Sequence, residues 1–362
     1  MAEHAPLRGA TAAAGDTSPD RREHRRILVA GLTGSLGAVI GSAIFITCFI
    51  GGLHAPGPRS VPLGLVGPPA LASRAGRALS QQVPGAFTVS GYPTPAAALA
   101  AIGQRRIDAA LVPGLAAQHL LVASAVSEAE TTAIIKVFSA GAARAHVPLT
   151  VQNVRPLHSG DPQGLAQLFF VVALVAPSLV FGNHLISRIG RYMNEFWHLG
   201  TIAFYAVSVA AVATAIADAG IGALTGAPWA IFGVGALVAF AAAVMAAAAT
   251  RWAGGLAFIV ILLLFVPVGI SSSGSTLGPH MITQWYADLG RVLPPGSGQT
   301  AVRNVTYFGG NALVHPLLFL SAWALAGIIA LGLAVVLHPP VPGQPRRKTP
   351  AATAPEPGTK PV

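Results

Sequence analysis

The chain has 362 residues, of which 53% are hydrophobic and 9% charged, with a mean hydropathy of +0.63. Soluble domains carry roughly a quarter charged residues, so the composition excludes an ordinary aqueous protein and points to the bilayer as solvent. The excess of 22 Lys and Arg over 12 Asp and Glu fits the flanks of membrane helices and gives no case for nucleic acid, while a single cysteine, Cys48, excludes an intrachain disulfide.

Residues 1–26 are polar, with an Arg21-Arg22-Glu23-His24-Arg25-Arg26 cluster, and are expected to form a disordered cytoplasmic tail. Residues 27–50 carry no charge, and a helix of that length crosses a hydrocarbon core of roughly 30 Å. The run is too long for the apolar region of a cleaved signal peptide, so an uncleaved signal anchor is expected.

Residues 53–163 alternate between strand-like and helix-like stretches. Strands are predicted at Val61–Val66, Phe87–Tyr92, Asp108–Val112, Leu120–Val126 and Leu149–Val154. Helices are predicted at Ala70–Gln82, Pro95–Arg106 and Glu128–His146. The order β-α-β-α-β-β-α-β favours a small sheet with helices packed on it, an extracytoplasmic α/β domain between the first and second spans.

Residues 164–337 then form a five-helix transmembrane domain, with spans at 164–182, 198–217, 228–249, 252–270 and 315–337. The predicted fold class is therefore a polytopic α-helical membrane protein of six transmembrane helices. Only Arg251 separates the fourth and fifth spans, which makes that turn the feature on which the parity of the topology depends. With the N-terminus inside, the inner tails and loops hold Arg8, Arg21, Arg22, Arg25, Arg26, Arg188, Arg191, Arg251, Arg346, Arg347, Lys348 and Lys360, against Arg291 and Arg303 outside. This asymmetry places both termini in the cytoplasm, residues 53–163 outside, and 338–362 as a second disordered tail.

Between the last two spans, Met281, Ile282, Trp285, Tyr286, Leu289 and Leu293 share one helical face, with Gln284, Asp288 and Arg291 opposite. Pro294-Pro295-Gly296 breaks the pattern, and a second short helix is predicted over Thr300–Tyr307, which carries Arg303 and Asn304. Two amphipathic pieces joined at a Pro/Gly turn describe a re-entrant or interface-lying outer hairpin over 281–307.

The chemistry is marked by what is missing. There is no G-x-x-x-x-G-K-[ST] phosphate loop, H-E-x-x-H, Cys-x-x-Cys or G-x-S-x-G, so neither an enzyme nor a bound cofactor is expected. Glu195 and Asp218 lie at the ends of the third span, and without carboxylates inside the spans an ion-coupled carrier is disfavoured. His184, His198, His315 and His338 read as interfacial rings rather than metal ligands. Asn304-Val305-Thr306 fits a glycosylation pattern but lies too near the membrane, in a composition rich in Ala, Gly and Arg that looks bacterial. Gly31, Gly34, Gly37 and Gly41 give the first span a small-residue face suited to close contact within the bundle or between two copies. The inner loop 183–197 mixes apolar, cationic and aromatic residues at helical spacing, either as an anchor on anionic membrane lipid or as a docking helix.

The layout of one anchor, an outer domain and five spans with a helical hairpin before the last resembles the membrane subunits of type-two ABC exporters. Local echoes narrow this to the branch related to the phage infection protein (YhgE/Pip-like). They are Pro62-Leu63-Gly64-Leu65-Val66, Pro84-Gly85-Ala86-Phe87, Ala97–Ile102 running into Ala109-Ala110-Leu111, and Leu293-Pro294-Pro295-Gly296 followed by Arg303-Asn304 and Tyr307-Phe308. The resemblance implies a homodimeric permease in the cell membrane, driven by a separate cytoplasmic ATPase. By topology it makes Ser187, Arg188, Ile189, Gly190, Arg191, Tyr192, Met193 and Asn194 the ATPase-coupling helix. The compact outer domain departs from the long, coiled-coil members, and the phage-receptor role does not transfer. The expected function is export of an amphiphilic or hydrophobic substrate, since the spans offer no polar lining for a hydrophilic one. The alternative is a non-transporting envelope scaffold that acts through its outer domain.

Overall fold

The computed structural model describes residues 21–114, 116–189 and 195–337. Helix α1 (Arg21–Ile46) continues through a π turn, Thr47–Gly51. Its first residues include 21–26, assigned to the tail from their polarity; Arg and Glu extend a helix as readily as most apolar residues do, and nothing there breaks it. The remainder of the two tails, 1–20 and 338–362, lies outside the described residues.

The α/β unit follows as β1 (Val61–Val66), α2 (Pro69–Gln82), β2 (Phe87–Tyr92), α3 (Pro95–Gly103), β3 (Ala109–Val112), β4 (Gln118–Val122), α4 (Glu128–Ala145) and β5 (Leu149–Asn153). This is the predicted order, with β4 shifted toward the N-terminus: it ends at Val122 because the chain leaves the sheet to cap α4 with Ser127, whose Oγ accepts from Glu130 N at 3.3 Å. The sheet order is β2-β1-β3-β4-β5, with β1 parallel to β2 and β3, β3 antiparallel to β4, and β4 parallel to β5. Alternation along β3 and β4 sends Ala109, Leu120 and Val122 to one face, against Val61, Leu63 and Ile134, and Ala110 and Leu121 to the other. That second face is filled by Ala98, Ala101 and Ile102 of α3, together with Tyr307 and Phe308 from far along the chain. The sheet core is thus completed by the helical part of the protein.

The remaining helices are α5 (Ala166–His184), α6 (Glu195–Ala215), α7 (Pro228–Leu263), α8 (Gly269–Ser272), α9 (Gln284–Val292), α10 (Pro294–Tyr307) and α11 (Val314–Leu337). Among the described residues, five helices are long and apolar enough to cross a membrane: His24–Gly51, Ala166–Arg188, Phe196–Gly220, Pro228–Ser272 and Val314–Ala334. The protein is therefore largely helical with the character of a membrane protein. Its bundle forms around the first part of α7, where Ala241, Ala242, Ala243, Ala246 and Ala247 are fully buried and α5, α6 and α11 all pack. Small side chains let the backbones close in: Gly182 of α5 sits on the Ala243 carbonyl and Gly327 of α11 on Val244.

The 228–272 run is one helix by hydrogen bonding alone. Its regularity fails at Ala253 (φ −138°, ψ 23°) and Gly254 (φ 63°, ψ −145°). A Cβ placed on Gly298 would lie 2.7 Å from Val238, and one on Gly269 would lie 2.8 Å from Pro295. Pro295 and Gly298 are less than one turn apart in α10, whereas Val238 and Gly269 would be separated by about 46 Å along a straight helix. The chain therefore doubles back at 253–254, and the two limbs run antiparallel.

Helix α1 stands apart. Leu32, Leu36 and Val39 are more than half exposed, and nothing lies within 4 Å of a Cβ built on Gly31, Gly34, Gly37 or Gly41. The small-residue face is thus not used inside the chain's own bundle. Contact is made at the end of the helix, where Tyr286 Oη donates to Cys48 O at 3.3 Å and the Tyr286 ring covers Gly52.

Candidate functional site

Helices α9 and α10 form the outer hairpin, and its geometry corrects two expectations. The break falls at Leu293, which is extended (φ −84°, ψ 144°), and Pro294, Pro295 and Gly296 form the first turn of α10 instead of ending a helix. Proline has no N–H to donate, and the first turn of a helix needs none. The second helix therefore starts at Pro294 and not at Thr300; along the apolar face Ile282, Tyr286 and Ala287 make the buried contact and Trp285 is 70% exposed. A nine-residue helix buries a narrow stripe, and Tyr286 takes it by reaching Ser271 and Cys48.

The hairpin enters the bundle. Gly298 packs on Val171 and Val238, Pro295 on Gly269, and Val292 O accepts a 2.8 Å bond from Trp323 Nε1. Val238 and Trp323 lie ten and nine residues inside their helices, so the apex reaches about 14 Å below the ends of α7 and α11. Backbone at that depth must be satisfied internally. Here the break between helices is stitched by Ser297 N donating to Leu293 O at 3.0 Å and Ser297 Oγ to Arg291 O at 2.7 Å.

Above the hairpin, the segment between α8 and α9 is pressed against the α/β unit. Arg59 N donates to His280 O at 2.8 Å and Gly57 N to Met281 O at 3.1 Å. Gly278, at φ +100°, lies on the start of α4, where a Cβ would approach Glu130 Oε2 to 2.5 Å. This contact assembles a charge cluster from four separate stretches of sequence. Asp108 stands 3.6 Å from both Arg105 Nη1 and His280 Nε2. Arg105 also lies over the Phe308 ring, with Cζ 4.8 Å from its centre. Glu130 is fully buried and neither carboxyl oxygen has a hydrogen-bond partner. Burial, and then the neighbouring negative charge of Asp108, raise its pKa well above the usual carboxylate value. Burial also lowers His280, more than Asp108 raises it. Burial thus favours the neutral form of both groups.

Beside this cluster is a cavity of about 510 Å³. Arg105 and Asp108 form its roof, Gly296, Ser297 and Thr300 of α10 its floor, and His315, Pro316 and Phe319 of α11 one wall. Arg303 reaches it from α10, buried, with Nη2 donating to Ser275 O at 3.4 Å. Asn304, its neighbour on the lining, is buried and donates to Ala312 O at 3.1 Å. Arg291 lines the opposite side, paired with Asp288 at 2.7 Å.

Of the residues singled out by sequence, the structure places Trp285, Tyr286, Pro294, Pro295, Gly296, Arg303 and Asn304 in the hairpin, with Trp285 on its exposed side. Ser187 and Arg188 are exposed in the π turn Leu185–Ile189 that ends α5. They lie at the opposite end of the bundle from the cavity, beside the 253–254 reversal, where Thr250 Oγ1 donates to Asn183 Oδ1 at 2.9 Å. Gly190, Arg191, Tyr192, Met193 and Asn194 lie outside the described residues. Sequence reasoning missed Arg105, Asp108, Glu130 and His280 and read His315 as an interfacial ring; Arg105 and Asp108 are three residues apart, but they meet the others only through the tertiary fold.

No protein-family model, curated protein or solved structure matches the chain.

Proposed function

We propose that the chain is the membrane-spanning permease subunit of an ABC-type exporter, acting with a separate ATPase to move an amphiphilic or hydrophobic substrate outward. In this reading the antiparallel limbs of 228–272 are two crossings, giving six in all with both termini cytoplasmic and the α/β domain outside. The observation that carries it is the inserted hairpin, which brings a polar cavity down beside the apolar wall of α11. A head that needs hydrogen bonds and a tail that needs an apolar surface are both served by that arrangement. The exposed Ser187-Arg188 end of α5, at the far end of the bundle, is the natural contact for an ATPase. The uncovered face of α1 supports a homodimer.

The test is affinity purification of the tagged chain from native membranes in mild detergent, beside an Arg188→Ala/Arg191→Ala variant. A nucleotide-binding ATPase recovered with the wild type and lost with the variant is the expected result. If no ATPase is recovered and envelope proteins co-purify through the α/β domain, the scaffold function replaces transport.

A further inference from the structure

The cavity contains an unbalanced charge. Asp288 neutralises Arg291, and Asp108 is shared between Arg105 and His280. Arg303 is 7% exposed and has no carboxylate at ion-pair distance among the described residues. Its guanidinium carries five N–H donors, yet among the described residues it makes one hydrogen bond, the 3.4 Å contact to Ser275 O. Arg105 Nη1 is likewise buried without a hydrogen bond. Glu130, close enough to both to influence them, makes an ion pair with neither among the described residues. A buried cation without a counter-charge costs several kcal/mol, and a planar guanidinium aimed into a cavity is the fitting partner for a phosphate or carboxylate.

The cavity is also asymmetric. Toward α11 its lining becomes apolar with Pro316 and Phe319, and the same helix presents Val314 and Leu318 on its exterior, each at least 60% exposed. At about 510 Å³ its volume lies within the range of small-molecule sites.

We infer that this cavity binds the anionic headgroup of an amphiphile, with Arg303 as the principal receiving group, Arg105 as the second, and the tail leaving along Phe319 of α11. The assignment names the substrate class for the export reading, but it is tested by binding alone. Loss of the ATPase would sink transport and leave the headgroup site standing, and loss of lipid preference would do the reverse.

The full chain, purified in a neutral detergent, is titrated with dioleoyl phosphatidylglycerol, with the zwitterionic dioleoyl phosphatidylcholine, and with inorganic phosphate. Bound lipid is read by native mass spectrometry and stability by thermal shift. Phosphatidylglycerol should bind at least about tenfold more tightly than phosphatidylcholine, because both carry the phosphate that Arg303 receives but the choline cation already neutralises it in the latter. Arg303→Gln should abolish that preference, and Arg303→Lys should retain part of it. Thr300→Trp fills the floor of the cavity without changing charge and should also weaken binding, which keeps the test decisive if Arg303→Gln fails to fold. Equal binding of the two lipids, or a preference that survives both Arg303→Gln and Thr300→Trp, overturns the inference. Stabilisation by inorganic phosphate with no preference for phosphatidylglycerol assigns the site to a free anion and overturns it as well.

Discussion

The reversal at 253–254 rests on one residue, so replacing Gly254 with alanine examines it directly. Its backbone, at φ 63° and ψ −145°, lies close to a region open essentially to glycine alone, where another residue costs about 1–3 kcal/mol. Nothing lies within 4 Å of the added Cβ, so the cost is backbone strain with no steric clash added. Gly255 supplies the control: it too has open space around a Cβ and no left-handed φ. Gly255→Ala should therefore be neutral, or stabilising by up to about 1 kcal/mol through helix propensity. Two identical substitutions one residue apart are thus expected to differ by about 1–4 kcal/mol. Denaturant titration of both variants in the same detergent, followed by circular dichroism, measures the difference. Equal stabilities would refute the strained turn, and with it the support for two crossings within 228–272.

Stability should fall as pH rises toward the elevated pKa of Glu130. Below its unfolded value near 4.5 both states hold the proton and the contribution is complete; above it the unfolded state releases the proton while the folded state keeps it, so stability falls until the folded state ionises as well. Glu130→Gln mimics the neutral form, and pH-dependent thermal unfolding should show that limb flattened; an unchanged profile would remove Glu130 from the account. Phe308→Ala takes a fully buried ring from the core shared by the sheet and α10 and should cost about 3–5 kcal/mol. Because Phe308 joins the two parts, limited proteolysis should cut the α/β unit from the helices faster than in the wild type. Gly290→Ala sets a Cβ against the Ser272 carbonyl and should cost about 1–3 kcal/mol by overpacking, read by the same denaturant titration. A Cβ on Gly37 has nothing within 4 Å, so Gly37→Ile starts in open space. It should leave subunit stability unchanged while lowering the dimer fraction in cross-linking, and an undiminished dimer would move the seam away from α1.

Much of the architecture was legible locally. Val61–Val66 and Phe87–Tyr92 are legible as strands, and α4 as a helix by apolar residues at three- and four-residue spacing over Glu128–His146. Where local signals failed, a neighbour had changed their meaning. The Pro294-Pro295-Gly296 run reads as a stop in isolation but starts a helix once Leu293 is extended, and Trp285 shares a stripe with Tyr286 that has room for only one of them.

Sequence by itself determined the solvent and the inventory: apolar runs of bilayer length, an α/β segment among them, and an amphipathic pair before the last helix. These are properties of 10 to 25 consecutive residues, and periodicity reports them because burial of one face is decided at that scale. Arg251 already marks the reversal within 228–272 in the sequence; only the tertiary structure decided that the hairpin enters the bundle, and that Arg105, Asp108, Glu130, His280 and Arg303 meet. Charged residues are normally solvated, so nothing in their identity signals burial. It is the packing of α10 beneath the sheet, through Tyr307 and Phe308, that takes them out of water and makes a site of them.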